Sequence, residues 1–305
     1  MNILSVVWNF EPRVVPSWEM PVWYGIMWAL GFLIGFKILQ KMYASENVPQ
    51  KLLDQSFIYV MAGGILGARL GHCLFYEPAA YLSNPIEILY IWEGGLASHG
   101  GAFGIIIATY ILARKHTDIS VLWLLDRFVV PTALAGFLIR MGNLFNSEIV
   151  GKATGSDFGF QFIRHDIPAY LARQITGIKD ANPSAAYDKL LSDPQYAQYI
   201  ADNVPNRYPT QLYEAICYLV FFGILMFFYW KTNAAKLTGF LLGGFFILIF
   251  GARFLIEFMK ENQDGFDREL EGLNMGQYLS IPLVLVGVFL VARKIKSLRK
   301  GKETI

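Results

Sequence analysis

The chain has 305 residues, of which 54% are hydrophobic and 16% charged, with a mean hydropathy of +0.39. That is too apolar for a soluble domain with a wet surface, so an integral membrane protein is expected. A net charge of +2 gives no reason to expect a nucleic-acid partner, and Cys73 and Cys217, both inside apolar runs, lack the spacing of a disulfide framework or a zinc site.

Residues 1–20 have no basic start and hold Glu11, Pro12, Arg13 and Pro16 before the first apolar run, so no cleavable signal peptide is expected. Crossing a bilayer takes about 20 apolar residues. Runs of that kind lie near residues 21–39, 57–76, 96–113, 119–145, 212–230, 237–259 and 277–292, which predicts seven transmembrane helices. Basic residues follow the first run (Lys41, Lys51), the third (Arg114, Lys115) and the fifth (Lys231, Lys236), and they crowd the tail (Arg293, Lys294, Lys296, Arg299, Lys300, Lys302). These links read as cytoplasmic. The alternate links are poor in them: 77–95 has none, and 261–276 has only Arg268 against Glu261, Asp264, Asp267, Glu269 and Glu271.

The expected fold is therefore an all-α integral membrane protein with its N-terminus outside and its C-terminus cytoplasmic. Residues 1–20 form an external N-terminal segment, 21–145 helices one to four, 146–211 a small external (periplasmic) head, 212–292 helices five to seven, and 293–305 a basic cytoplasmic tail. No internal repeat is evident.

At about 1.5 Å per residue, Arg140 and Arg253 lie at one depth, roughly 8–9 Å below the outer edge of their runs. A lone Arg near mid-membrane costs roughly 2.5–3.5 kcal/mol, so two kept at one level point to use, and the use their chemistry suits is holding an anion. Tyr24, His99 and Tyr213-Glu214 fall in the same outer layer. A polar cavity there is the simplest arrangement that accommodates five helices. Arg253 and Glu257, spaced i,i+4, read equally well as a mutually neutralising pair. Arg140 has no carboxylate three or four residues away in its own helix. Asp126 and Arg127 read as structural pairing residues, Arg69 and His72 as either cavity or packing residues, and the Arg164-His165-Asp166 cluster as a solvated turn. Glycines beside His99 allow close backbone approach.

An arginine fork suits phosphate, and an anionic phospholipid head group is the anion present at this depth. A neutral imidazole there is suited to accepting a proton from an incoming thiol or hydroxyl while the arginines stabilise a departing phosphate. No Gly-x-Ser-x-Gly elbow and no His-Glu-x-x-His pair occurs. Two other classes stay open. A transporter or flippase would use the same arginines to carry an anion, and an assembly protein would hold its buried charges only as pairs.

The segment Arg140-Met141-Gly142-Asn143-Leu144-Phe145-Asn146-Ser147-Glu148-Ile149-Val150-Gly151 resembles the signature of the bacterial prolipoprotein diacylglyceryl transferases. Trp23-Tyr24-Gly25, Gly94 to Gly101 around His99, Pro209-Thr210-Gln211-Leu212-Tyr213-Glu214, and Arg253 to Phe258 with Met275-Gly276-Gln277 match other family segments in order. The resemblance implies transfer of the diacylglyceryl group of phosphatidylglycerol to the lipobox cysteine of a prolipoprotein signal peptide, releasing glycerol 1-phosphate. It places the chain in the bacterial cytoplasmic (inner) membrane among membrane lipids, with the active site toward the outer half and no metal or cofactor. It implies catalytic roles for His99, Arg140, Arg253 and Tyr24. Arg140, Arg253, Asn143, Glu148, Gly151, Glu214 and Glu257 would bind phosphatidylglycerol. The chain departs from the family at Tyr208, where a His is usual, and at Lys260, where an Arg is usual, so neither is expected to be essential.

Overall fold

The computed structural model describes residues 4–18, 20–91, 94–95, 97–180, 182–261 and 272–302. Leu96 and the acidic link residues Asp264, Asp267, Arg268, Glu269 and Glu271 lie outside the described residues, as do the side chains of Ser98, Arg299, Lys300 and Lys302. The chain is mostly helical and resolves into two compact units, residues 1–35 with 130–305 and residues 36–129.

Among the described residues, six helical stretches are long and apolar enough to cross a membrane. They are α1 (Trp23–Ser45), α2 (Gln50–Phe75), α5 (Val121–Phe145), α10 (Thr210–Lys231), Phe240–Met259, and α13 (Met275–Lys302, apolar as far as Leu298). The seventh expected span is α4 (Ser98–Lys115), which has 18 residues with His99 at one end and Arg114 and Lys115 at the other. Its apolar centre falls short of a full crossing, which takes about 20 residues. Many large apolar side chains on these helices are exposed, Leu33, Leu66 and Phe227 among them, as expected where lipid is the solvent.

In the unit of residues 36–129, Leu39, Tyr43, Leu52, Leu53, Leu112, Leu124 and Phe128 form the core. Here α2 and α4 approach to backbone contact through glycines. A Cβ on Gly67 would stand 2.4 Å from the Gly100 carbonyl oxygen, and one on Gly104 would stand 2.0 Å from that of Gly63. Small residues let membrane helices close to this distance, where lipid gives no hydrophobic drive for association. The glycines after His99 are thus used against α2. The link after α2 is folded too, into α3 (Pro78–Ser83) and a 3-10 turn at Pro85–Leu89. Arg127 pairs with Glu46 at 2.7 Å and stacks on Trp123, as a structural residue would.

In the other unit, β1 (Ser5–Trp8) runs parallel to β2 (Gly159–Phe162), register Ser5 to Gly159, which ties the N-terminal segment to residues 146–211. Trp8 Nε1 donates to the Leu144 carbonyl at 2.9 Å, and Phe10 stacks on Phe145. Short helices follow: α6 (Ile163–Asp166), α7 (Ala169–Thr176), α8 (Ser184–Ser192) and α9 (Ala197–Asn203). They enclose a small core of Ile163, Ile167, Ala172, Ala186, Tyr187, Leu190 and Val204.

The Arg164-His165-Asp166 cluster is an ion-pair hub, not a solvated turn. Arg164 contacts Glu11 at 3.2 Å and lies over Tyr187, and Asp166 accepts from Arg207 at 2.6 Å. The α6 turn places these groups between β1 and α8, where burial makes partners necessary.

The Phe240–Met259 stretch is α11 (Phe240–Phe245), a π turn at Phe246–Phe250, α12 (Gly251–Ile256) and a 3-10 turn at Glu257–Met259. Gly243 of α11 meets Gly287 of α13, a Cβ on the latter coming within 2.7 Å of the Gly243 carbonyl. Insertions of π geometry often accompany functional sites because they re-aim the residues that follow. Here those residues begin with Arg253.

Candidate functional site

Arg140 lies in the last turns of α5, which continues into a tight turn with positive φ at Ser147 (55°) and Ile149 (56°). A β-branched residue in that region is strained by about 1–3 kcal/mol and needs its surroundings to hold it. The surroundings are hydrogen bonds. Glu148 N donates to Asn143 O at 2.9 Å, Asn146 Nδ2 to Glu148 Oε1 at 2.8 Å, Gln211 Nε2 to the Glu148 carbonyl, and Thr210 Oγ1 to the Ile149 carbonyl. Asn143 is buried and bridges, accepting from Arg140 Nη1 at 3.3 Å and donating to Glu148 Oε2 at 3.4 Å. Glu148 itself is exposed.

Glu214 of α10 is 0% exposed and sits 2.7 Å from Arg140 Nε. This is the carboxylate partner that the sequence around Arg140 lacks. Neither Glu214 oxygen completes a directed hydrogen bond among the described residues, so the contact is a charge contact with acceptor capacity left over. The Tyr218 hydroxyl, one turn on, is hydrogen-bonded to the Arg140 guanidinium. Gly136 on α5 gives the ring room, since a Cβ there would come 3.0 Å from Tyr218 Cδ2.

Arg253 faces the same group. It lies within electrostatic reach of both the Tyr218 hydroxyl and the Lys260 ammonium, as Arg140 does. Among the described residues it makes no ion pair or side-chain hydrogen bond. The Arg253–Glu257 pair, one of the two readings of that spacing, does not form. The chain tightens to 3-10 geometry at Glu257–Met259, where i and i+3 eclipse, and Glu257 Oε2 instead meets Lys260 Nζ at 3.4 Å.

Lys260 is buried, stands 3.9 Å from Glu214 Oε1, and is fixed by backbone bonds that join 150–152 to 259–261. Gly276 closes the other side, because a Cβ there would stand 2.7 Å from the Glu257 carboxyl carbon. Gln277 and Asn274 cap each other at 3.0 Å, and Gln277 Nε2 reaches the Phe254 carbonyl at 3.3 Å.

Arg140 and Lys260 thus meet Glu214 and Glu257, with Arg253 near Lys260, a partly desolvated cluster of three basic and two acidic side chains. Such a set can accept one further negative charge and present guanidinium donors to it. Tyr218 and Lys260 are members that sequence reading missed. Tyr218 looks like any aromatic residue in an apolar run, and Lys260 was discounted because it is not the usual Arg.

The other predicted residues are placed as follows. Tyr24 packs across Gly142, 2.8 Å from where its Cβ would be. Gly151 is wedged between the Tyr208 and Met259 carbonyls, 2.4 and 2.9 Å from a notional Cβ, so close packing alone requires its lack of a side chain. His99 belongs to the unit of residues 36–129, exposed in the first turn of α4. Arg69, offered as either cavity or packing residue, donates four hydrogen bonds to backbone carbonyls. Among the described residues no group of His, Cys, Asp and Glu has the arrangement to hold a metal.

Comparison with known proteins gives one consistent result. The family model of prolipoprotein diacylglyceryl transferase matches residues 17–293. The chain is similar to the phosphatidylglycerol–prolipoprotein diacylglyceryl transferase of Porphyromonas gingivalis, 42% identical over 298 residues, covering 96% of this chain and 95% of the relative. It is 39% identical over 300 residues to the enzyme of that name from Chloroherpeton thalassium, covering 98% of each, and 32% identical over 297 residues to that from Rickettsia felis, covering 96% and 97%.

Proposed function

The chain belongs to the prolipoprotein diacylglyceryl transferase family, and from that premise we propose a residue-level account of its reaction. It is a membrane-bound transferase that moves the diacylglyceryl group of phosphatidylglycerol to a prolipoprotein. The acceptor is the thiol of the lipobox cysteine in the signal peptide. Its sulfur attacks the glyceryl carbon that carries the phosphate ester, a C–S bond forms as the C–O bond breaks, and glycerol 1-phosphate leaves with the electron pair. The nucleophile is the substrate's own sulfur, so Cys73 and Cys217 have no part in it.

The observation that carries this account is that Arg140 and Lys260 meet one fully buried carboxylate, Glu214, at 2.7 and 3.9 Å, with Arg253 of another helix within electrostatic reach of Lys260. Two guanidiniums from separate helices share one neighbourhood with a surplus positive charge. A phosphodiester bears one negative charge and takes paired N–H donors, so it matches both the charge and the geometry of donors. Negative charge grows on the departing phosphate oxygen, and fixed cations in a low-dielectric site stabilise it more than water would. Glu214 keeps Arg140 in place through charge contact, Lys260 offsets the carboxylates that would otherwise neutralise the arginines, and Asn143, Glu148 and Gly151 shape the turn beside them. Tyr24 and Glu257 complete the wall. His99 takes the thiol proton. A thiol with an ordinary pKa near 8.5 needs only modest help at neutral pH.

The site lies toward the outer half of the bacterial inner membrane. The first 20 residues are an external segment, 146–211 form a periplasmic head, α4 makes a seventh, shorter crossing, and the basic tail is cytoplasmic, as the bias of Lys and Arg among the links supports. The test is direct. Purified protein in vesicles containing phosphatidylglycerol labelled in its diacylglyceryl group should attach the label to a lipobox cysteine peptide and not to its Cys→Ser analogue. Release of glycerol 1-phosphate without labelled peptide would overturn the transfer step.

A further inference from the structure

His99 stands at the start of α4, where a side chain can be aimed only as well as the loop before it is held. That loop is held by one residue of α2. Arg69 is 3% exposed and spends its guanidinium on backbone carbonyls from two stretches of the link. Nε donates to Ile88 O at 3.0 Å and Nη2 to Glu87 O. Nη1 donates to Gly94 O at 2.7 Å and to Gly95 O at 3.3 Å. The guanidinium also lies 4.9 Å from the centre of the Tyr81 ring of α3, against which His72 sets its own ring edge-on.

Gly94 and Gly95 have φ of +92° and +68°, a conformation that a residue with Cβ resists, so their peptide carbonyls are presented by a backbone bent for the purpose. A Cβ on Gly95 would collide with His72 and come 2.8 Å from Arg69 Nη1. The next residue of α2 toward its start continues the hold, because Ala68 O accepts from Ala97 N at 2.9 Å, at the entry to α4. Gly100, directly after His99, sits against the Gly67 carbonyl.

We propose that Arg69 is a positioning residue of the transfer reaction, its guanidinium clamping the backbone at 87–88 and at 94–95 so that His99 enters α4 at a fixed place and angle. The proposal rests on the role assigned to His99 above. A guanidinium bound to four carbonyls has no need of a carboxylate, which is why the sequence offers it none. Lysine has a single nitrogen and cannot reach both stretches, so it should act as a partial substitute. The clamp does not touch phospholipid, so its loss should appear in kcat and leave the affinity for phosphatidylglycerol alone.

The experiment uses the full-length chain in phosphatidylglycerol vesicles with a lipobox peptide, comparing Arg69→Gln, Arg69→Lys and His99→Asn, singly and combined. Arg69→Gln should lower kcat about tenfold or more with KM for phosphatidylglycerol within about twofold, and Arg69→Lys should fall between it and the unaltered chain. In the double variant the two losses should fail to multiply, because a misplaced base and an absent one are equivalent. Amide hydrogen exchange should speed up at 87–97 in Arg69→Gln and stay slow in His99→Asn. Raised KM with unchanged kcat, multiplying losses, or unchanged exchange at 87–97 would each overturn the proposal. Should His99→Asn itself transfer at the normal rate, the role of His99 falls, while the exchange data still report whether the clamp exists.

Discussion

Arginines of the two units are settled in opposite ways, Arg69 and Arg127 buried, Arg140 and Arg253 half-buried. In residues 36–129, Arg127 has Glu46 on one side and Trp123 beneath it, and Arg69 is covered by carbonyls. Among the described residues, each has partners that it shares with no other cation. In the other unit, Arg140 meets Glu214, Asn143 and Tyr218 but shares its carboxylate with Lys260, and Arg253 has neither an ion pair nor a side-chain hydrogen bond among the described residues. A buried cation left incompletely partnered is expensive unless a ligand completes it. The burial of an arginine therefore says little about its use; the state of its donors says more.

The largest effect that tests this contrast is loss of an arginine of the charge cluster against loss of an arginine with a carboxylate to itself. Arg253→Ala should lower transfer about 10²–10³-fold or further, the range for deleting a donor to developing negative charge, with the unfolding midpoint little changed; Arg140→Ala should lower transfer as far and lower the midpoint too, because it strips the fully buried Glu214 of its nearest cation. Arg127→Met should do the reverse of Arg253→Ala. Glu46 keeps some contact with solvent, so about 1–3 kcal/mol of stability should go, while turnover per folded molecule stays within about twofold. Thermal unfolding in detergent beside initial rates separates the two, and an Arg127→Met protein that is stable but inactive would break the comparison.

A smaller effect sharpens it. Lys260→Met takes the cluster from one surplus positive charge to none, leaving Glu214 and Glu257 to be satisfied by the arginines alone. KM for phosphatidylglycerol should rise about tenfold, a cost of about 1.4 kcal/mol, and Lys260→Arg should stay within about threefold of the original because the charge is kept. Adding Glu214→Gln to Lys260→Met restores the charge balance and should recover part of the lost affinity, read as initial rate against the mole fraction of phosphatidylglycerol. A double variant worse than the product of the two singles would mean that packing, not charge, explains Lys260.

Much of this was legible in the sequence, and the part that was not has a common cause. The spans follow from runs of apolar residues, and Arg140 and Arg253 stand out because a charge in such a run is conspicuous. What could not be read is which helix answers which. The Glu214 contact with Arg140, the hydroxyl of Tyr218, and Lys260 between two carboxylates depend on packing of α5, α10 and α12. The Arg253–Glu257 spacing misled because i,i+4 assumes an α-helix, and the backbone is 3-10 there. The glycines around His99 were correctly taken as sites of close approach, but what approaches Gly100 is α2. The parallel pairing of β1 with β2 joins two four-residue strands far apart in the chain, too short to carry a pattern.

The contacts between the N-terminal segment and residues 146–211 supply the smallest effect and a third kind of charge, one held for stability alone. Glu11 accepts from Arg13 Nε at 2.9 Å and from the Ser184 hydroxyl, and lies 3.2 Å from Arg164 Nη1. Burial acts to raise its carboxyl pKa, but the bonds from Arg13 and Ser184 and the charge of Arg164 outweigh it, and the net displacement is below the ordinary 4.5. A group whose folded value is depressed stabilises the fold fully above its unfolded value and gives that stability up as pH falls through the folded one. Glu11→Gln should therefore weaken the 146–211 region by about 1 kcal/mol at pH 7, a figure already reduced for partial exposure. The difference from the unaltered chain should close as pH drops below 4.5. Hydrogen exchange at α8 amides, followed from pH 7 to pH 3, reads it without involving catalysis, and transfer at neutral pH should be unaffected. A gap that persists undiminished in acid would assign Glu11 a packing role, and loss of transfer with the head intact would place it with Arg140 and not with Arg127.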